Sequence, residues 1–261
     1  MTEHAAHAPG TPSWVDLMAS DLDQAKDFYA GLFGWDLEDQ FDGDGNRIYT
    51  MARMDGKAVA GLGAIPPGME MPSVWNTYVA TADLDATAAA VEAAGGSVMM
   101  TAMQVMDAGR MAVFADPTGA AFSAWEAGQH IGAELGNVAN THSWNELMTR
   151  ELSTAQAFYS EVFGWNYEAQ QMSTGEYHVI AGGENGGLGG MMIMPAEVPE
   201  MVPNHWGVYF TVDDLDASVA KVQELGGQVV MPAMDIPGVG RMSTVHDCCN
   251  ASFTMMQPAE G

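Results

Sequence analysis

Side chains of two kinds alternate through Ser13-Trp14-Val15-Asp16-Leu17-Met18, and the alternation returns in Ser143-Trp144-Asn145-Glu146-Leu147-Met148. A period of two predicts a strand, with Trp14, Asp16 and Met18 on one face and Val15 and Leu17 on the other. The period then lengthens. Ala25, Phe28, Tyr29 and Leu32, like Ala155, Phe158, Tyr159 and Val162, recur at three- and four-residue steps, which predicts a helix with one apolar face. Ser20-x-x-Asp23 has the form of a capping box at the helix start, and Phe33-Gly34-Trp35 and Phe163-Gly164-Trp165 supply a glycine that ends the helix.

Three short strand patterns follow each helix: WDLEDQF, NRIYTMARM and KAVAGLGAI in the first half, WNYEAQQ, EYHVIAG and GLGGMMIM in the second. A strand running into an acidic helix start occurs four times, at Asp21-Leu22-Asp23, Asp83-Leu84-Asp85, Glu151-Leu152-Ser153 and Asp214-Leu215-Asp216. The unit is therefore βαβββ, and the chain carries four. Modules 11–66 and 72–126 make one domain, and modules 141–196 and 203–258 repeat it. Residues 1–10 read as a disordered tail and 127–140 as a linker. The expected class is α+β: two eight-stranded cup-shaped sheets, each with its helices outside, since a helix can bury only one stripe.

Composition narrows the function. Thirty-four acidic residues against eight basic ones give a net charge of −26, which repels nucleic acid and anionic membranes. No apolar run is long enough to span a bilayer and no secretory signal is visible, so a cytoplasmic location is expected. The two cysteines, Cys248 and Cys249, suit a reducing compartment. The 22 methionines are mostly core filler, with a capacity to adapt to varied ligands. The run GGENGGLGG at 182–190 fits no phosphate-binding motif and reads as a turn or a close backbone approach.

The DLD helix start, the helix ending in FY and FGW, the DLDA start of the second module and DPTGA before the last strand together resemble the vicinal-oxygen-chelate superfamily of glyoxalase I, bleomycin-resistance proteins and extradiol dioxygenases. Within it, the chain looks closest to tandem glyoxalase-like proteins of actinobacteria labelled hydroxylases. The resemblance implies the glyoxalase/bleomycin-resistance fold and, in the enzymes, a divalent metal held on the cup floor by His, Gln or Glu. Those positions fall here on Trp14 and Trp144, on Asn76 and Gly207, on Ser123 and Thr254, and within AGLGA and LGGMM of the fourth strand. The usual ligands are not retained, so no metal or other cofactor is expected. A displaced site from Glu146, His205 and His246 stays open.

By strand register the cup faces carry Trp14, Asp16, Met18, Asn76, Tyr78, Ser123 and Trp125 in one copy and Trp144, Glu146, Met148, Tyr209 and Thr254 in the other. Aromatic and methionine walls with sparse polar groups are typical of a small-molecule site. A carboxylate on a buried strand needs a partner. The repeated GRM offers Arg110 for Asp16 and Arg241 for Glu146, either as a structural ion pair or as part of a ligand site where Asp16 and Glu146 serve as general bases. The leading expectation is a protein that binds a small apolar or aromatic molecule, in resistance or metabolite handling. The alternatives are a metal-dependent lyase or dioxygenase, a cofactor-free hydroxylase or isomerase, and an acidic protein-interaction module. The internal pairing allows a monomer or a further homodimer.

Overall fold

The computed structural model describes residues 2–172, 175–183 and 186–259. Met1 of the expected tail and Glu184 and Asn185 of the glycine-rich run lie outside them. The first half contains β2 (Pro12–Ala19), α1 (Leu22–Phe33), β3 (Asp36–Phe41), β4 (Arg47–Met54) and β5 (Lys57–Ala64), then β6 (Val74–Thr81), α2 (Leu84–Ala93), β7 (Ser97–Val105), β8 (Gly109–Ala115) and β9 (Ala121–Ala127). The second repeats the plan as β11 (His142–Thr149), α3 (Leu152–Phe163), β12 (Tyr167–Met172), β13 (Gly175–Ile180) and β14 (Gly189–Ile193), then β15 (His205–Thr211), α4 (Leu215–Glu224), β16 (Gln228–Ile236), β17 (Gly240–His246) and β18 (Ser252–Pro258). Two short strands, β1 (Thr2–Glu3) and β10 (Leu135–Gly136), lie outside the modules.

Each half forms one eight-stranded sheet, in the orders β3-β4-β5-β2-β6-β9-β8-β7 and β12-β13-β14-β11-β15-β18-β17-β16. Although β12 and the β16–β17 turn belong to opposite ends of the second order, Gln170–Met172 and Ile236–Val239 line one cleft. The sheet therefore curls into the expected cup. Helix starts follow the acidic motifs: the carboxylates of Asp21, Asp83 and Asp214 accept from the amides of Gln24, Ala86 and Ala217. The cap is Asp21 rather than Ser20, whose own amide donates to Ser73 Oγ, so the expected capping box does not form. Gly34 and Gly164 end their helices in the left-handed region, at φ 70° and 71°.

Val15 and Leu17 face the helices, and so do Val208 and Phe253 of the other half, all in one core. The helix sides of the two cups are thus pressed together. The Phe33 ring of α1 lies 5.0 Å from Phe210 of β15, and the Tyr159 ring of α3 lies 5.4 Å from Phe122 of β9. Truncating such a buried ring costs about 3–5 kcal/mol. The aromatic motifs also reach across: Trp35 Nε1 donates to the Asn140 carbonyl and Trp165 Nε1 to that of Gly10.

Residues 2–10, expected as a disordered tail, are instead ordered against the 127–140 segment. Thr2 and Glu3 pair antiparallel with Gly136 and Leu135, and His7 Nε2 lies 2.8 Å from the Ala133 carbonyl. Backbone pairing offsets the chain entropy that a polar tail would otherwise keep. Among the described residues, no helix is long and apolar enough to cross a membrane.

Candidate functional site

The cup faces are set by strand register. In the first cup Asp16 stands beside Gly61 on β5 and Asn76 on β6, and Trp14 stands beside Tyr78, which pairs in turn with Ser123 on β9. The second cup repeats this with Glu146 beside Gly190 and Gly207, and with Trp144 beside Tyr209 and then Thr254. Met18 and Met148 lie two residues beyond Asp16 and Glu146 on the same face, half-buried. The residues read as cup-facing are therefore gathered on one face of each sheet, apart from the two arginines.

Arg110 and Arg241 do not meet the cup carboxylates. Arg110 pairs with Asp85 at 3.0 Å and Glu126 at 3.3 Å, and Arg241 with Asp216 at 2.9 Å and Asp235 at 3.3 Å. The reason is alternation: Met111 stands opposite Trp125 on the cup face, so Arg110, opposite Glu126, must point to the helix side. Each arginine ties its hairpin to an acidic residue in the first turn of a helix.

The carboxylates are served by tyrosines instead. Asp16 Oδ2 accepts from Tyr78 at 2.9 Å and Tyr49 at 3.1 Å, and Oδ1 accepts from the Asn76 amide at 2.9 Å. Trp14 Nε1 donates to the Tyr49 oxygen at 3.1 Å, completing a relay from indole to phenol to carboxylate. In the second cup Trp144 Nε1 donates to Tyr177 at 2.8 Å, and Tyr209 donates to Glu146 Oε1 at 2.7 Å. Burial raises both carboxyls above the usual range, against the pull of these hydrogen bonds. Burial, and then the Glu146 charge, push the Tyr177 and Tyr209 phenols upward, so both stay protonated donors at neutral pH.

Tyr49 and Tyr177 were not among the residues expected in the cups. Each lies over a glycine of the fourth strand: a methyl built on Gly61 would overlap the Tyr49 hydroxyl, and one on Gly190 would overlap that of Tyr177. The signal was a tyrosine repeated in NRIYTM and GEYHVI, opposite a repeated glycine. Another close approach appears at Gly187, where a methyl would come within 2.7 Å of the Trp144 ring. That accounts for part of the glycine-rich run.

The 127–140 segment is also part of a cup. The His130 ring stands edge-on to Trp14 with centroids 4.5 Å apart, Trp125 Nε1 donates to the His130 carbonyl, and Ala133 joins the cluster of Trp14, Tyr78 and Trp125. The segment is held by Ala133 N to the Ser13 carbonyl at 2.8 Å and by Ala58 N to Glu134 Oε2 at 2.6 Å. Burial lowers the His130 imidazole to about 4.

The positions that would hold a divalent metal carry indole, amide, hydroxyl and glycine, with a phenol covering the glycine. None of these groups supplies the imidazole or carboxylate that the resemblance implies for such an ion. The displaced set does not assemble either: among the described residues no three His, Cys, Asp or Glu side chains come together as a metal site.

The sequence model of the Glyoxalase/Bleomycin resistance protein/Dioxygenase superfamily matches residues 11–123 and 135–252. The Mycobacterium tuberculosis protein named "Putative glyoxylase CFP32" is 44% identical over 262 residues, covering 99% of both chains. The "Anthracycline biosynthesis protein DauV" of Streptomyces sp. (strain C5) is 38% identical over 273 residues, covering 97% of this chain and 95% of the relative. Among solved structures, a Mn(II)-bound glyoxalase from Novosphingobium aromaticivorans superposes with a TM-score of 0.66 at 17% identity, over 97% of this chain and 83% of that one. The 2,3-dioxygenase LapB from Pseudomonas sp. KL28 does so with a TM-score of 0.66 at 12% identity, over 98% and 94%. The structural likenesses speak to the fold. The family match over both halves and the near full-length relatives establish that the chain belongs to the Glyoxalase/Bleomycin resistance protein/Dioxygenase superfamily.

Proposed function

We propose that the chain is a metal-independent member of its superfamily that binds a small, largely apolar molecule, in a resistance or metabolite-handling role. The observation that carries this is the carboxylate in each cup, buried beside tyrosine hydroxyls where its relatives' enzymes would gather metal ligands, with tryptophan and methionine for walls. Apolar walls bind by area, and a few fixed polar groups orient the ligand. The relatives named for anthracycline biosynthesis make planar polycyclic aromatics the first class to test.

The test pairs two measurements on the purified chain. Quenching of intrinsic tryptophan fluorescence is titrated with a panel of planar aromatics. Metal content is measured after incubation with Mn, Fe, Ni and Zn followed by desalting. Saturable quenching with no retained metal is the expected result. Retention of about one metal per chain, or turnover of a hemithioacetal or a catechol, overturns the reading.

One observation favours a second reading, catalysis without a cofactor. Burial raises the Glu146 carboxyl, the direction that makes a carboxylate a stronger general base. Chemical conversion of a bound aromatic, lost in Glu146→Gln, would select it.

A further inference from the structure

We propose that the second cup is the chain's single ligand site, taking a neutral or cationic aromatic whose hydrogen-bond donor meets Glu146, while the first cup is filled by the chain's own His130–Ala133. The inference rests on the binding function proposed above and narrows it to one cup and one ligand class.

The two cups differ in what covers them. In the first, Trp14 and Trp125 are only 4% and 6% exposed, because His130 and Ala133 sit against them. In the second, Trp144 and Met256, at the equivalent positions, are only partly buried. A cleft of about 290 Å³ opens between the end of β12 and the β16–β17 turn of the second half, lined by Gln170, Met172, Ile236 and Val239. In the first cup Val105 and Ala108, at the matching hairpin turn, pack onto the Trp14–Trp125 cluster, which shows that this turn overhangs the cup interior.

The carboxylates differ too. Both oxygens of Asp16 are committed, to two phenols and the Asn76 amide. Among the described residues Glu146 is met by its two tyrosines and by no side-chain amide, because Gly207 stands where Asn76 would be. A methyl built on Gly207 would meet nothing closer than 3.7 Å, so the position that Asn76 fills in the first cup is left without a side chain in the second. Arg241, which could have neutralised an anion, is turned to the helix side with Asp216. An anionic ligand would therefore place its charge near Glu146 without a counter-ion, whereas an N–H or O–H donor replaces the missing amide.

Proflavine, a planar cation with amino donors, is the probe, with anilinonaphthalene sulfonate as the anionic comparison, both in ~0.5 M salt to screen the acidic surface. Equilibrium dialysis should give one proflavine per chain and no saturable binding of the sulfonate. Glu146→Gln should weaken proflavine about tenfold or more, the worth of one hydrogen bond to a charged partner. Gly207→Leu should abolish binding. Quenching by proflavine should persist in Trp14→Phe and be lost in Trp144→Phe. Two proflavines per chain, equal binding of the sulfonate, or affinity unchanged in Glu146→Gln would overturn the single-site assignment and leave a binding function standing. If no probe of the wider aromatic panel saturates, the binding function itself falls. Dialysis of the unaltered chain decides the stoichiometry even if a variant fails to fold.

Discussion

The Tyr29 hydroxyl donates to the Asp247 carboxylate at 2.9 Å, joining residues 218 positions apart. Trp75 Nε1 donates to the same phenol oxygen at 2.8 Å, and Trp206 repeats that bond with Tyr159 at 2.8 Å. Tyr29 is thus an anchor between the halves, set in the first helix of one domain and bonded to the aspartate turn of the other, whereas Tyr159 reaches the other half through its ring contact with Phe122. Asp247 Oδ1 meanwhile accepts from the Cys249 and Ala251 amides and shapes the turn.

Tyr29→Phe should therefore destabilise the chain by about 1–3 kcal/mol, since it leaves buried Asp247 Oδ2 and the Trp75 indole without their partner. Urea denaturation followed by tryptophan fluorescence measures it. A loss well under 0.5 kcal/mol would show that water satisfies both groups.

The modules, the helix ends and the cup-facing register were legible because each is written in local periodicity or a terminating glycine. Arg110 was assigned to the wrong face although the information was present: placing Trp125 inside places its cross-strand partner Met111 inside as well, and so excludes Arg110. The filling of the first cup was not legible. His130 meets Trp14 through a fold-wide path, and nothing in EAGQHIGAELG distinguishes a segment lodged in a cup from an exposed linker. The bonds from Trp35 to Asn140 and from Trp165 to Gly10 were hidden for the same reason, since an indole's backbone acceptor leaves no mark in composition.

Gly190→Ala should be poorly tolerated. The added methyl would overlap the Tyr177 hydroxyl and push the phenol off Trp144 and Glu146. Overpacking of this kind costs about 1–3 kcal/mol, and Gly61→Ala should act alike through Tyr49. Equal stability of Gly190→Ala and the unaltered chain, read from denaturation midpoints, would mean that the ring moves aside freely.

Acid should weaken the fold through two buried imidazoles. Burial lowers both His130 and His142 to about 4 from the ordinary 6.5. The unfolded chain binds those protons near 6.5 and the folded chain only near 4, so stability falls as pH drops through that window. The loss is up to about 3 kcal/mol for each. Asp16 and Glu146 act in the opposite sense: burial raises them, so their contribution is complete in acid and fades as pH rises through their folded values. Replacing His130 by Phe isolates one term. Between pH ~7 and ~4.5 this variant should lose less stability than the unaltered chain, and parallel pH profiles would show that His130 is not held neutral.

The segment 127–140 should resist proteolysis despite its glycines. Native-state cleavage requires a stretch of backbone to leave its partners and enter the protease. Here Ala133 and Leu135 are 6% and 4% exposed, the Gly128 and His130 amides both donate to the Ala108 carbonyl, and β10 pairs with β1. Releasing the segment would also expose Trp14 and Trp125, whose burial depends on it. A glutamate-specific protease should therefore spare Glu134, whose carboxylate is held by the Ala58 amide, while cutting at exposed acids such as Glu70 or Glu200. Mass spectrometry of a brief digest reads out the order of cleavage. Early scission at Glu134 would mean that the segment leaves the first cup readily, and that cup would then count as a second accessible site.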